Sequence, residues 1–384
     1  MSDHFSSKLF EARLQQLVAN ASVSCTDPDF DMSNRSVIEL LDVWLRDLGF
    51  QTEIQALDGF DGKYNLIASY GQGAGGLVLS GHTDTVPFDE SRWQQDPFKL
   101  KDANERFYGL GATDMKGFFP TVFAALETID LNKLKKPLIL IFTADEESSM
   151  CGARALGEQH RGQRYAIIGE PTGLKPIRMH KGIMMESVRI QGLAGHSSNP
   201  ALGKSALESM HQVLAALLDY RQSMQAKYQN PGFSIQVPTL NLGCIHGGDN
   251  PNRICGHCEL QFDLRPLPGM DIAALHDDIE RLLKPIGDAT GTELTLTPLF
   301  PGISAYEEPR SSELVAITER LTGFSAESVS FATEAPFLQN LGMQTLVMGP
   351  GSIDQAHQPN EYIEKSQIPP AVKVLRQLIG ELCL

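Results

Sequence analysis

The sequence predicts an α/β fold, a mostly parallel mixed sheet flanked by helices, with a ferredoxin-like α+β lid inserted into it. Three observations predict this. Leu77 to Leu79, Leu138 to Phe142 and Ala166 to Ile168 are apolar on both faces, as buried strands of a parallel sheet are. After about Gly182 the pattern becomes period-two alternation with one polar face, the mark of half-exposed antiparallel strands. From about Pro298 the first style returns, so the middle segment reads as an insertion. The catalytic domain is expected over 1–182 and 298–384, and the lid over 183–297. At 384 residues and 42% hydrophobic, the chain is long enough for two or three cores.

Taken in order, an early helix is expected near Arg35 to Leu48. The glycine-rich run Gly71 to Gly76 resembles a phosphate loop, but it precedes a strand instead of opening a helix, so a flexible hairpin is expected. Phe119, Val122, Leu126 and Ile129 fall at helical spacing and place a helix between two buried strands. In the insertion Val188 and Ile190, then Leu240 and Leu242, then Cys258, Leu260, Phe262 and Leu264, each alternate with polar residues. Helices with stripes Leu207, Met210, Leu214, Leu217 and Ile272, Leu275, Ile279, Leu282 interrupt them, and Glu293 to Thr297 alternates last. The order β-α-β-β-α-β is that of a ferredoxin-like sandwich. A helix around Ser312 to Leu321, a buried strand at Thr345 to Met348 and a closing helix from Pro369 to Leu382 complete the larger domain.

Composition excludes several functions. Lys plus Arg number 32 and Asp plus Glu 47, a net charge of −15, so nucleic acid is not an expected partner. The longest strictly apolar run, Val213 to Leu218, is far short of the roughly 20 residues of a membrane helix. Met1 to Leu14 mixes Asp3, His4, Lys8, Glu11 and Arg13 among its apolar residues, so no signal peptide is expected there. Six sparse cysteines fit reduced thiols and a cytoplasmic protein. Cys255 and Cys258 sit three apart on an alternating strand and face opposite sides, which argues against one ion or one disulfide.

The chemistry sits where buried strands end. His82 and Asp84 follow the first run, Asp114 precedes the Phe119 helix, Glu146 and Glu147 follow Phe142, Glu170 follows Ile168, and His357 comes after the last strand. Open α/β sheets bind ligands beyond the carboxyl ends of their strands, so these residues can converge. Without cations such a set would repel and desolvate at a cost of several kcal/mol, or protonate. Two Zn²⁺ supply four positive charges against Asp114, Glu147, Glu170 and one hydroxide, with both histidines neutral. Imidazole with carboxylate suits zinc, or cobalt in its place, better than magnesium. Asp84, two residues from His82, points the same way in extended backbone and can accept its second ring N–H. Glu146 and Glu147 diverge, so Glu147 is expected to ligate and Glu146 to act as general base; Asp114 is the candidate bridge. Singly, Asp114 is an ordinary helix cap, the two glutamates a solvated pair, and His82 a structural histidine. Their joint placement after four buried strands points to metal.

At these residues the chain resembles the two-zinc amidohydrolases of the aminoacylase and carboxypeptidase type, over nearly its whole length. The stretches that carry the resemblance are Gly81 to Phe88, Tyr108 to Gly117, Thr143 to Gly152, Gly169 to Thr172, Gly195 to Ser198, Asn252 to Arg253, Asp263 to Gly269, Thr333 to Phe337 and Gly349 to Pro359. The resemblance implies one zinc on His82 and Glu170, a second on Glu147 and His357, and Asp114 between them. It also implies a homodimer formed through the lid, with His196 of Gly-His-Ser-Ser reaching the partner subunit's site. The implied reaction is hydrolysis of N2-acetyl-L-ornithine to acetate and L-ornithine in arginine biosynthesis.

Amide hydrolysis needs a strong nucleophile, a place for the oxyanion and a proton for the leaving nitrogen. Two metals and one carboxylate, Glu146, supply all three, with His196 assisting at the oxyanion. The substrate's carboxylate needs a cation, for which Arg265 is the candidate and Arg253 and Lys181 weaker ones; a surface salt bridge is the plain alternative for Arg265. Its ammonium can be met by Glu334 beside Thr333, or Glu334 is simply a loop acid. Sibling activities on succinyl-diaminopimelate, acyl amino acids or dipeptides use the same metals with a different pocket, and a catalytically silent metal-binding scaffold is the non-enzyme alternative.

Overall fold

The computed structural model describes residues 6–157 and 162–384. It divides into two compact units, one of Met1–Arg178, Glu308–Glu327 and Thr333–Leu384, the other of Met179–Glu307 and Ser328–Ala332.

The first unit opens with α1 (Ser7–Ala19), capped by the Ser6 hydroxyl, which accepts the Leu9 N–H. Phe10, Leu14, Leu17 and Val18 form its buried stripe. Next come α2 (Arg35–Asp47), β1 (Gln51–Ala56), β2 (Tyr64–Tyr70) and β3 (Leu77–His82). Short strands β4 (Lys101–Ala103) and β5 (Arg106–Tyr108) precede α3 (Phe118–Leu126), β6 (Leu138–Thr143), α4 (Cys151–Arg154), β7 (Tyr165–Ile168) and β8 (Ile177–His180). The apolar runs do form the sheet centre: β6, β3 and β7 are neighbours in parallel, with β6 and β3 buried along nearly their whole length. Ile129 lies beyond the end of α3.

The Gly71 to Gly76 connection is not a hairpin. β2 and β3 each pair with β6, which runs between them, so the glycines carry the chain across a strand. Gly76, at φ +81°, lies so close to Pro137 that an added Cβ would sit 2.0 Å from the Pro137 carbonyl oxygen, which excludes any other residue.

The second unit consists of β9 (Met184–Gln191), α5 (Ala206–Lys227), β10 (Thr239–Gly247), β11 (His257–Arg265), α6 (Ile272–Thr290) and β12 (Glu293–Pro298). All pairs are antiparallel, in the order β10-β11-β9-β12. Val188 and Ile190 of β9 and Leu260, Phe262 and Leu264 of β11 bury one face with Met210, Val213 and Leu217 of α5 and Leu275 and Ile279 of α6. Leu207, expected on the α5 stripe, is 45% exposed; Ala206 and Ser209 hold the buried positions of that turn instead.

The chain then adds β13 (Tyr306–Glu307), α7 (Glu313–Thr322), β14 (Glu327–Val329), α8 (Ala335–Asn340), β15 (Gln344–Val347), β16 (Tyr362–Glu364) and α9 (Ile368–Cys383). β15 runs parallel to β7. The large sheet is therefore mixed, parallel across β6-β3-β7-β15 and antiparallel at β1-β2, β2-β6 and β15-β8. β16, β5 and β4 form a separate small sheet. Residues of α1, α2, α3, α7 and α9 share one core with the central strands.

Candidate functional site

The parallel strands β3, β6, β7 and β15 end on the same side; His82, Glu146, Glu147, Glu170 and His357 lie at those ends or on the loops that leave them, and Asp114 lies on the turn between β5 and α3. His82 is the last residue of β3 and is 1% exposed. Its Nε2 lies 3.1 Å from Asp114 Oδ1 and 3.9 Å from Glu170 Oε1. Its Nδ1 lies 3.1 Å from the backbone carbonyl of Asp84 and 3.6 Å from that residue's carboxylate. The Asp84 carboxylate also accepts the Glu147 N–H at 3.0 Å, so Asp84 braces the ring of one residue and the backbone of another.

Asp114 presents its second oxygen to His357 Nε2 at 3.4 Å, and the same ring nitrogen lies 3.0 Å from Glu147. Donor atoms of His82, Asp114 and Glu170 lie within 4.8 Å of one another, as do those of Asp114, Glu147 and His357 and those of His82, Glu146 and Glu147. Asp114 is common to the first two groups. His357 adopts φ +59°, a left-handed turn that brings its ring back over this cluster.

The electrostatics describe a place short of positive charge. Burial, with Asp114 as neighbour, pushes Glu170 well above the usual carboxylate range, and burial does the same to Glu146. Glu147 is raised chiefly by burial and the nearby Asp114. Burial works against the charged form of His82, yet the hydrogen bond to Asp114 and the nearby carboxylate of Asp84 raise it well above its ordinary value. His357 is raised to about 10, first by its hydrogen bond to Asp114 and then by Glu147. Burial opposes ionisation of Asp114, but hydrogen bonds from His357 and His82 outweigh it and hold the carboxyl low. Glu170 Oε1 and Asp84 Oδ1 are buried and lack a hydrogen-bond partner. An orphaned Glu170 oxygen 3.9 Å from the His82 ring, in two carboxylate and imidazole clusters that share Asp114, is what divalent cations satisfy, so the residues fit a pair of ions.

Glu334 belongs to the same unit. It is 1% exposed, with Oε1 unpartnered, and burial raises it to about 7. Thr333, also buried, precedes it. The other sequence candidates lie on the second unit. The exposed ring of His196 accepts at Nδ1 from the Ser198 N–H at 3.2 Å and contacts its hydroxyl at 2.8 Å; His196 forms a backbone bridge with Arg253. Arg253 pairs with Asp249 at 2.6 Å, and Arg265 with Asp263 at 2.9 Å. Lys181 is buried, donates to the Val237 carbonyl at 2.7 Å and lies 5.8 Å from the Phe233 ring centre; burial and then Arg265 lower its pKa.

Two buried residues escaped the sequence reading. Glu361 accepts the N–H groups of Gly111, Thr113 and Asp114, and Asp145 anchors the loop that bears Glu146 and Glu147. Their signals were adjacency alone: Asp145 immediately precedes the two glutamates, and Glu361 follows His357 by four residues.

Comparison with known proteins matches residues 78–381 to peptidase family M20/M25/M40. An acetylornithine deacetylase of Pasteurella multocida (strain Pm70) is 49% identical over 368 residues, 96% of either chain. Another, of Edwardsiella ictaluri (strain 93-146), is 50% identical over 375 residues, 97% of this chain and 98% of that one. Among solved structures, aminopeptidase PepT from Bacillus cereus ATCC 10987 superposes with a TM-score of 0.77 at 18% identity, over 98% of this chain and 99% of that one. The Bacillus subtilis YXEP protein, described as a dinuclear metal-binding peptidase, gives 0.68 at 15% identity over 98% and 99%. At such identities the structural likeness speaks for the fold.

Proposed function

The chain belongs to peptidase family M20/M25/M40, and from that premise we propose that it hydrolyses the acetyl amide of N2-acetyl-L-ornithine to L-ornithine and acetate, a step of arginine biosynthesis. It is a metal-dependent amidohydrolase. Asp114, placed between His82 and His357, is the observation that carries this reaction class. The two deacetylase relatives, matched over nearly the full chain, supply the substrate.

In this reading His82, Asp114 and Glu170 would hold one ion, and Asp114, Glu147 and His357 the other. Zinc suits the mixed imidazole and carboxylate donors, with cobalt as a substitute. Bound there, the pair supplies Lewis acidity that lowers the pKa of water and polarises an amide carbonyl. Asp84 fixes the ring of His82 through Nδ1 and the backbone of Glu147. Glu146, whose carboxylate lies within 4.8 Å of the His82 and Glu147 donor atoms and which this reading leaves out of both ion sites, takes the proton from the attacking water and delivers it to the departing amine nitrogen. His196, from the partner subunit of a homodimer built through the lid, donates to the developing oxyanion. Arg265, with Arg253 and Lys181 as further candidates, meets the substrate carboxylate, and Glu334 with Thr333 the ammonium. The cytoplasm is the proposed location. Among the described residues no helix is long and apolar enough to cross a membrane.

Metal analysis coupled to steady-state rates on acetyl-ornithine, succinyl-diaminopimelate and a dipeptide tests the reading. A preference for either of the last two by more than about tenfold in kcat/KM overturns the substrate. Glu146→Ala should lower kcat by about 100-fold or more with metal content unchanged; retained activity removes Glu146 as the base.

A further inference from the structure

The loop between β6 and α4 carries both Glu146 and Glu147, and the Glu147 contacts, its carboxylate with His357 and its N–H to Asp84, do not close the turn itself. Asp145 does. It is 5% exposed and sits at φ +64°, in the left-handed region. Its backbone carbonyl accepts the N–H groups of Ser149 at 3.1 Å and Met150 at 2.6 Å, closing the turn. Asp145 Oδ1 accepts from the Ser24 hydroxyl at 2.7 Å and from Lys63 Nζ at 2.8 Å, and Oδ2 from the Ser149 hydroxyl at 2.6 Å.

The donors are themselves fixed. Lys63, 4% exposed, stands just before β2 and also binds Asp31 at 2.7 Å and the Met32 carbonyl at 3.0 Å. Ser24 belongs to a segment tied to the strand-end loop after β3, where the Ser24 N–H reaches the Thr85 carbonyl at 2.8 Å. The Ser24 hydroxyl also touches that of Ser148 at 2.6 Å. One carboxylate therefore joins three separate stretches of chain within the first unit.

Because Glu146 and Glu147 follow directly, any rotation at Asp145 swings both together. A displacement of about 1 Å in a reacting group is enough to lower a rate by about 100-fold. A buried, fully hydrogen-bonded ion pair also tolerates little alternative geometry. We propose that Asp145, gripped by Lys63 and Ser24, is a positioning residue that sets the directions of Glu146 and Glu147. The proposal rests on the amidohydrolase reading above for its kinetic consequence only.

Asp145→Asn tests it, since asparagine tolerates the left-handed conformation and keeps the backbone turn while removing the charge that Lys63 holds. Lys63→Met removes the other half of the pair, Lys63→Arg restores the charge, and Ser24→Ala is the mildest variant should the others fold poorly. The expected result for Asp145→Asn is a kcat lowered by about 10- to 100-fold with KM within about threefold. Metal affinity weakens by about 10- to 100-fold because Glu147 moves with Glu146, so kcat is read at saturating metal, and amide exchange accelerates in residues 144–152 but not elsewhere in the first unit. Lys63→Met should match it, Lys63→Arg should recover part of kcat, and the double variant should fall short of additive. A kcat within about twofold of wild type, or exchange that rises evenly across the unit while kcat merely tracks the folded fraction, overturns the proposal. Failure of the wild type to cleave acetyl-ornithine refutes the substrate instead, and the exchange pattern still decides whether Asp145 holds the loop.

Discussion

Glu361 is a carboxylate spent wholly on backbone. It is 2% exposed; Oε1 accepts the N–H groups of Thr113 at 2.7 Å and Asp114 at 2.9 Å, and Oε2 that of Gly111 at 2.9 Å. The same turn is pulled from below by Lys116, fully buried, whose ammonium donates to the carbonyls of Leu17 at 3.1 Å and Asn20 at 2.8 Å. Both groups act on the turn that presents Asp114, and neither is legible in a sequence, since a glutamate that binds amides reads like one that binds water. Glu361→Ala leaves three buried amides without an acceptor, at roughly 1–3 kcal/mol each. The expected outcome is a loss of about 3 kcal/mol or more in urea denaturation. Glu361→Gln keeps one carbonyl oxygen and should lose less. A loss under about 1 kcal/mol for the alanine variant would show that water replaces the carboxylate and that the turn does not hang from it.

Elements were legible in proportion to how one-sided their burial is. β3 and β6 lie deep in the sheet and their sequences are almost purely apolar, so they stood out. β1 is an edge strand wet on both sides, and β4, β5 and β16 are three residues long, so no periodicity could mark them. α1, by contrast, offered a readable stripe of Phe10, Leu14, Leu17 and Val18 that the exclusion of a signal peptide left unused. β8 was hidden by its polar letters, Arg178 and His180, although His180 is fully buried. Its ring accompanies Tyr306 of the neighbouring β13 at 5.2 Å, and burial lowers its pKa from 6.5 to about 4. Since the folded value is the lower one, the unfolded chain binds the extra proton. The stability held above pH 6.5 is lost as pH falls toward 4, by roughly 2 kcal/mol at pH 5. Denaturation of wild type and His180→Phe at pH 7 and pH 5 should show the difference between the two proteins change by about that amount. An unchanged difference would mean that the ring protonates without unfolding β8.

For the whole molecule, the site was readable because His82, Glu147, Glu170 and His357 follow strands that are separately recognisable, while Asp114 was marked by the helical stripe it precedes. The supports were not, since Asp145, Lys63 and Glu361 act through contacts between distant segments that spacing cannot encode. The site also sets a relation between metal and stability that belongs to the first unit alone. The side chains of Asp114, Glu147 and Glu170 are buried together, and the two histidines beside them compensate only part of that charge. Removing bound ions returns the repulsion and the unpaired oxygens to a folded core, whereas the unfolded chain hydrates each carboxylate separately. At ion concentrations about 100 times the dissociation constant, each bound ion adds about 2.7 kcal/mol. Chelation should therefore lower the thermal midpoint reversibly and speed amide exchange in the loops after β3, β6 and β7. Exchange in β9 to β12, whose unit holds none of the ligands, should stay as it was. Readdition of Zn²⁺ or Co²⁺ should restore both midpoint and activity, with about two ions bound per chain. Coincident melting curves with and without chelator would refute the paired-ion centre, whatever activity the protein shows.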